Sequence, residues 1–248
     1  MLAEVKGFAR FGLRTTAHVV DRYAAKGRGI VVLAYHRVGA LTPMAVDLPD
    51  ALFAEQMHLL AETQRVARLD EALRLLAAPE PPETDPVSLP EAVTASREPA
   101  GRGLLPQVST TVAMATCSPA AFLEHALPVL GDLGIPATLY VATAFIDEGR
   151  AFPHEGRPLS WAGLREAVAS GLVDSGAPAH SHPLLARVDA DPAREEFARS
   201  VGLVHDRLGV EAVDFAYPKA VVPSHEVDQL ARATFRSAAL AGTRYNRY

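Results

Sequence analysis

Short, continuous apolar runs alternate with amphipathic stretches along most of this chain. Ile30-Val-Val-Leu-Ala-Tyr35 is rich in β-branched residues and has no polar interruption. That is the pattern of a strand buried on both faces, as in a parallel sheet. Pro49-Asp50 then opens a helical pattern carrying Leu52, Phe53, Met57 and Leu60, and Asp70 begins a shorter helix through Leu76. Thr110-Thr-Val-Ala-Met-Ala115 predicts the next strand. Ser118 with Pro119 behind it predicts a helix start, and Phe122, Leu123, Ala126, Leu127 and Leu130 mark its inner side before Gly131 and Gly134 end it.

The alternation continues to the end. Pro136-Ala-Thr-Leu-Tyr-Val-Ala142 reads as a strand, and Ser160 caps a helix through Val168 that Gly171 stops. Leu172-Val173 leads into a segment with two histidines. Asp191-Pro192 opens a long helix to about Leu208, ended by Gly209. Val213-Asp-Phe-Ala-Tyr217 is a strand, Glu226 to Phe235 a helix, and Ser237-Ala-Ala-Leu-Ala241 a last strand. Strands that alternate with helices argue an α/β fold: a parallel sheet with helical crossovers, either open or closed into a barrel.

Two regions break the rhythm. Residues 2–26 read as a basic amphipathic helix, with Lys6, Arg10, Arg14, Arg22 and Lys26 among apolar members such as Leu2, Val5, Phe8 and Val19. The ordinary expectation is a helix packed on the domain; the alternative is one lying on a membrane surface or a partner. Those charges leave no apolar run of the ~7–15 residues a secretory signal needs, so a cytoplasmic or peripheral-membrane location is expected. In the second region, Pro79, Pro81, Pro82, Pro86, Pro90, Pro99 and Pro106 punctuate a stretch that also holds Gly101 and Gly103. It reads as a long irregular loop over 79–108, or as an inserted segment. The expected organisation is therefore an N-terminal helical segment over 1–29 and one α/β domain over 30–248.

Bulk properties narrow the function. With 248 residues, 49% of them hydrophobic, the chain can bury one large core. A net charge of -5 argues against nucleic acid as a partner. Cys117 is the only cysteine, so no internal disulfide can form.

Candidate chemistry gathers at the strand ends, where α/β proteins build their sites. The first strand closes on Tyr35-His36-Arg37-Val38-Gly39. The histidine segment is Ser175-Gly-Ala-Pro-Ala-His-Ser-His-Pro183, and the next strand closes on Phe215-Ala-Tyr-Pro218 followed by Lys219 and Ala220. In an extended segment residues two apart share a face, which predicts that His180 and His182 point the same way. His125, His154, His205 and His225 read as solvated. Glu195 and Glu196 read as an exposed helix face paired with Arg194 and Arg199. Asp174 is the one carboxylate close in sequence to the histidines.

These motifs, with Ala126-Leu-Pro-Val-Leu130, Gly134-Ile-Pro-Ala-Thr138 and Leu159-Ser-Trp161 between them, resemble the polysaccharide deacetylases of carbohydrate esterase family 4 in both order and spacing. The resemblance covers about residues 30 to 244. It implies a distorted parallel (β/α) barrel of about 6–7 strands; the last predicted strand, with no helix after it, gives the expectation of a C-terminal edge left incomplete. It also implies a hydrolase acting on carbon–nitrogen amide bonds, which removes acetyl groups from amino-sugar polymers. In that family an Asp and two His hold a divalent metal, zinc foremost, and a second Asp takes a proton from the attacking water.

The chain departs from that pattern at the reacting groups. Thr116 stands at the base position, and a hydroxyl cannot take a proton near neutral pH. Cys117 stands at the position of the metal-binding Asp, where a thiolate can still hold zinc. Pro178 replaces the first ligand histidine and His182 matches the second. Three readings follow: a remodelled metal site from Cys117, His180 and His182; a non-catalytic binder of acetylated glycans; or a sequence altered over 88–118. By the same resemblance Tyr35, His36, Arg37, Trp161, Tyr217 and Lys219 line the substrate site. The Lys219 amide can serve as an oxyanion donor, and its side chain can bind an anionic group.

Overall fold

A computed structural model describes residues 29–39, 47–63, 65–78, 108–115, 121–151 and 158–240. The expected N-terminal helix, the irregular loop from 79 to 107, and Thr116, Cys117 and His154 lie outside the described residues.

Six strands run parallel in one arc. Strand β1 (Gly29–Tyr35) pairs with β5 (Val108–Ala115), β5 with β6 (Ala137–Tyr140), and β6 with β7 (Val173–Gly176). A bridge between Ala177 and Phe215 carries the arc on to β8 (Asp214–Ala216), which pairs with β9 (Ser237–Ala239). Two-residue strands β2 (Arg37–Val38) and β3 (Asp47–Leu48) pair beside the end of β1, and β4 (Arg65–Val66) joins β5. All pairings among the described strands being parallel, every main strand delivers its C-terminal end to the same edge. The described residues pair β9 with β8 alone, so the arc is an α/β barrel wall without a closing ladder among them.

Burial on both faces explains the continuous apolar runs. In β5, Thr110, Thr111, Val112, Ala113 and Met114 are all buried. Val112 and Met114 face an outer core with Phe53, Met57, Leu130, Leu139 and Leu164, built from β5, β6 and helices α1 (Asp50–Thr63), α3 (Leu127–Leu133) and α5 (Trp161–Ala169). Helix α2 (Leu69–Ala77) covers Ile30 of β1. A second core lies under the end of the arc. There Phe197 of α6 (Ala190–Leu208) packs on Phe215 and Phe235, beside α7 (His225–Thr234).

The inner face is filled rather than hollow. Tyr140 on β6 sits opposite Gly176 on β7, and its ring occupies the space a Gly176 side chain would need. A Cβ at Gly176 would lie 2.6 Å from that ring and 2.9 Å from the Asp214 carbonyl, which is main chain and cannot swing away. Gly176→Ala is therefore expected to destabilise the protein by about 2 kcal/mol, as overpacking does. Chemical denaturation checks this; a midpoint equal to wild type contradicts the close approach.

Two local features differ from the sequence pattern. The helix expected to run unbroken to Leu130 contains a wide π turn over Phe122–Ala126, where Leu127 N–H donates to the Phe122 carbonyl. Pro128 supplies the reason: it has no N–H, and its ring would clash with a carbonyl one α turn back, so the backbone widens. A further helix, α4 (Thr143–Asp147), follows β6 in a stretch to which the sequence pattern assigns no element. The caps agree better. Ser160 Oγ accepts from Gly163 N–H at 3.1 Å, and Gly209 ends α6 at φ 70°.

Candidate functional site

The C-terminal edge of the arc gathers His36 after β1, the histidine loop after β7, and Pro218–Ala220 after β8. Among the described residues, the four non-glycine positions with left-handed φ are Ala179, His182, Lys219 and Ala220. All four lie in the loops after β7 and β8. Left-handed backbone costs such residues about 1–2 kcal/mol each, and such strain concentrates at functional edges.

That backbone overturns the expected orientation of the histidines. Ala179 at φ 75° and His182 at φ 57° break the extended alternation, so His180 and His182 meet different surroundings. His180 is buried; its Nδ1 is 2.8 Å from Thr143 Oγ1, and its carbonyl accepts from Ala144 N–H at the start of α4. Burial and then Arg199 push its pKa down, against weaker pulls from Glu196, Glu148 and Asp147. The His182 ring feels Lys219 and His36 instead, and burial first, then these two, lower its pKa. Partial burial lowers that of His36.

Ser181, between the two histidines, is gripped by Glu196. Its N–H donates to Glu196 Oε2 and its hydroxyl to Oε1, both at 2.7 Å. Glu196 thus clamps the loop to α6 rather than pairing along an exposed helix face. Sequence spacing carried no sign of this, because the two residues meet only through the tertiary fold. Thr143 was missed for the same reason.

The remaining expected residues divide. Tyr35 turns toward α1, where its hydroxyl donates to Gln56 Oε1 at 3.0 Å and its ring meets Phe53 edge-on. Tyr217 likewise turns outward: its ring packs on Phe215 and its hydroxyl donates to Asp228, with its pKa pushed up to about 12 by burial and by that carboxylate. Trp161 Nε1 donates to Asp147 Oδ1 at 3.3 Å beneath the Arg207 guanidinium, which makes it a packing anchor joining α4, α5 and α6. Arg37 is buried in β2. Of the expected residues that are described, His36 and Lys219 lie within electrostatic reach of His182.

Two carboxylate readings change as well. Asp174 is the second residue of β7, so it sits at the opposite end of the strands, where Arg68 binds both its oxygens at 2.7 and 2.8 Å. Asp214 and Arg236 form a similar pair at the start of β8, at 2.5 Å. These ion pairs brace the N-terminal end of the barrel wall. His125 is half-buried against Gly39 and faces Asp50 at 3.7 Å, rather than standing in solvent.

The family's divalent metal does not fit the described residues. Pro178 has no side-chain donor atom, and no group of three His, Cys, Asp or Glu side chains among the described residues could hold an ion. No described carboxylate pairs with His182.

His36, His180 and His182, each with a pKa lowered first by desolvation, predict acid sensitivity. Each has a folded pKa below its unfolded value of about 6.5, so the unfolded chain binds more protons. Their contribution is complete above that value and is lost as pH falls through it toward the folded pKa. The urea midpoint is expected to drop between about pH 7.5 and about pH 5. His180→Gln should flatten part of that drop; an identical pH profile in this variant counts against a neutral, buried His180.

Comparison with known proteins gives a consistent picture. A profile of the family described as polysaccharide deacetylase matches residues 114–238. No curated protein matches the sequence. Among solved structures, IcaB from Ammonifex degensii aligns at 25% identity and a TM-score of 0.65, over 84% of this chain and 82% of that one. The Streptococcus pyogenes deacetylase PplD, in complex with acetate, aligns at 17% identity and 0.68, over 88% and 86%. A de-N-acetylase from Aggregatibacter actinomycetemcomitans aligns at 13% identity and 0.67, over 88% and 90%.

Proposed function

Because this chain belongs to the polysaccharide deacetylase family, we propose that it is a carbohydrate-directed member that binds acetylated glycans and whose deacetylation is weak or lost. The observation that carries this reading is the histidine loop. His182 follows β7 at the C-terminal edge, while Pro178 offers no side-chain donor and the buried His180 bonds Thr143 through Nδ1. Thr116 at the base position removes the group that would take a proton from water. A general base contributes about 10²–10⁴-fold in such reactions, so little turnover survives without it.

The scaffold that would present a sugar is nevertheless in place. The strand ends converge, and the Ser181–Glu196 clamp fixes the loop that carries His182. Lys219 keeps a left-handed backbone at the end of β8. Calorimetric titration with chitotetraose is expected to give saturable heat, with no acetate released above buffer in the presence of zinc or cobalt. Metal-dependent acetate release would favour the remodelled hydrolase instead. No heat at millimolar sugar would remove the glycan-binding reading.

A further inference from the structure

We infer that residues 2–26 of this chain dock along the outer flank of α1, with basic side chains against its glutamates and apolar ones against Leu52 and Leu59. Helix α1 buries Phe53 and Met57 in the core. On its outer flank Leu52 is 42% exposed and Leu59 58%. Seven positions apart, the two leucines stand almost in line along the helix, and Glu55 and Glu62 follow them by three positions each. The result is one ridge of alternating leucine and glutamate. Every fixed charge on α1 is acidic: Asp50, Glu55 and Glu62. Asp50 faces His125, whereas neither glutamate has an ion-pair partner among the described residues. Glu62 also lies in the last turn, which holds no basic residue, at the helix end whose free carbonyls favour a cation. The ridge lacks both apolar cover and positive charge.

Residues 2–26 offer both. Lys6, Arg10, Arg14, Arg22 and Lys26 outnumber Glu4 and Asp21. Val19 and Tyr23 are four positions apart, as are Arg22 and Lys26, the spacing of neighbours on one side of a helix. The chain also brings this segment to the ridge. Ile30 of β1 and Arg65 of β4 flank Ser109 of β5 in one register row, about 10 Å apart at the usual strand spacing. Glu62 precedes Arg65 by three residues, and Lys26 precedes Ile30 by four. That short tether spans at most about 14 Å, so Lys26 stays within reach of the acidic end of α1. Wound as a helix, the segment would be about 37 Å long, against about 21 Å for the 14 residues of α1, which is enough to cover the whole ridge. A lipid surface could take the same basic residues, but it would leave the leucines and glutamates of α1 uncovered.

Limited trypsin digestion of the full chain, with cleavage at Arg10 and Arg14 followed by mass spectrometry, tests the docking. Cleavage there is expected to be about tenfold slower in wild type than in a Glu55→Lys, Glu62→Lys variant, because proteolysis follows the population of the released segment. Arg22→Glu with Lys26→Glu should release the segment in the same way. Combining all four changes should restore slow cleavage, which a merely misfolded variant would not do. Wild-type cleavage as fast as in the Glu55→Lys, Glu62→Lys variant, or a fourfold variant that stays fast, overturns the inference. So does protection that arises only with vesicles of phosphatidylcholine and about 30% phosphatidylserine, which would assign the segment to a lipid surface.

Discussion

Replacing three residues at once, Thr116→Asp, Cys117→Asp and Pro178→His, is expected to raise acetate release from chitotetraose by about 10²-fold or more over wild type in the presence of zinc or cobalt. Each change restores one missing function: a base, a carboxylate ligand and a second imidazole ligand beside His182. The effects should be strongly non-additive, because a base without a polarised carbonyl, or a metal without a base, achieves little. Thr116→Asp alone is therefore expected to stay near wild type. A coupled assay for free acetate reads both outcomes. A triple variant that binds zinc but releases no acetate would mean that the mouth has changed beyond these three positions, notably at Lys219 and Ala220.

The largest effect on stability is expected at Phe215→Ala, at about 4 kcal/mol. Phe215 is fully buried, stacks on Phe235 at 4.8 Å, and meets Phe197 and Tyr217 edge-on at 5.1 Å each. It also forms the bridge with Ala177 that joins β7 to β8. Removing the ring empties the centre of the second core, which packs beneath the main-chain bridge between β7 and β8. Urea denaturation should show a lower midpoint. A loss under about 1 kcal/mol would mean the surrounding rings collapse onto the space.

The strands were legible because parallel strands buried on both faces give unbroken apolar runs, as at Ile30–Tyr35 and in the segment through Val112 and Met114. Helix ends were legible where a single residue decides them, as Ser160 and Gly209 do. The site was less so. His180 and His182 diverge because two alanine or histidine positions adopt a conformation that their residue types do not announce. Tyr35 and Tyr217 face outward, since a residue at a strand end can turn to either side of the sheet and only the packed helices select one. Asp174 lies two residues from Gly176, yet strand polarity puts it at the wrong end for chemistry. Glu196 reaches Ser181 from fifteen positions further along the chain, so nothing local betrays the contact.

The central claim is that a sugar-deacetylase scaffold persists here without the groups that grip its metal. Zinc content of the purified chain, measured after saturation and exhaustive dialysis, tests it most directly. Far less than one zinc per chain is expected for wild type, against one per chain for the triple variant. Wild-type protein that retains one zinc per chain, and loses it on Cys117→Ser or His182→Gln, would contradict the account.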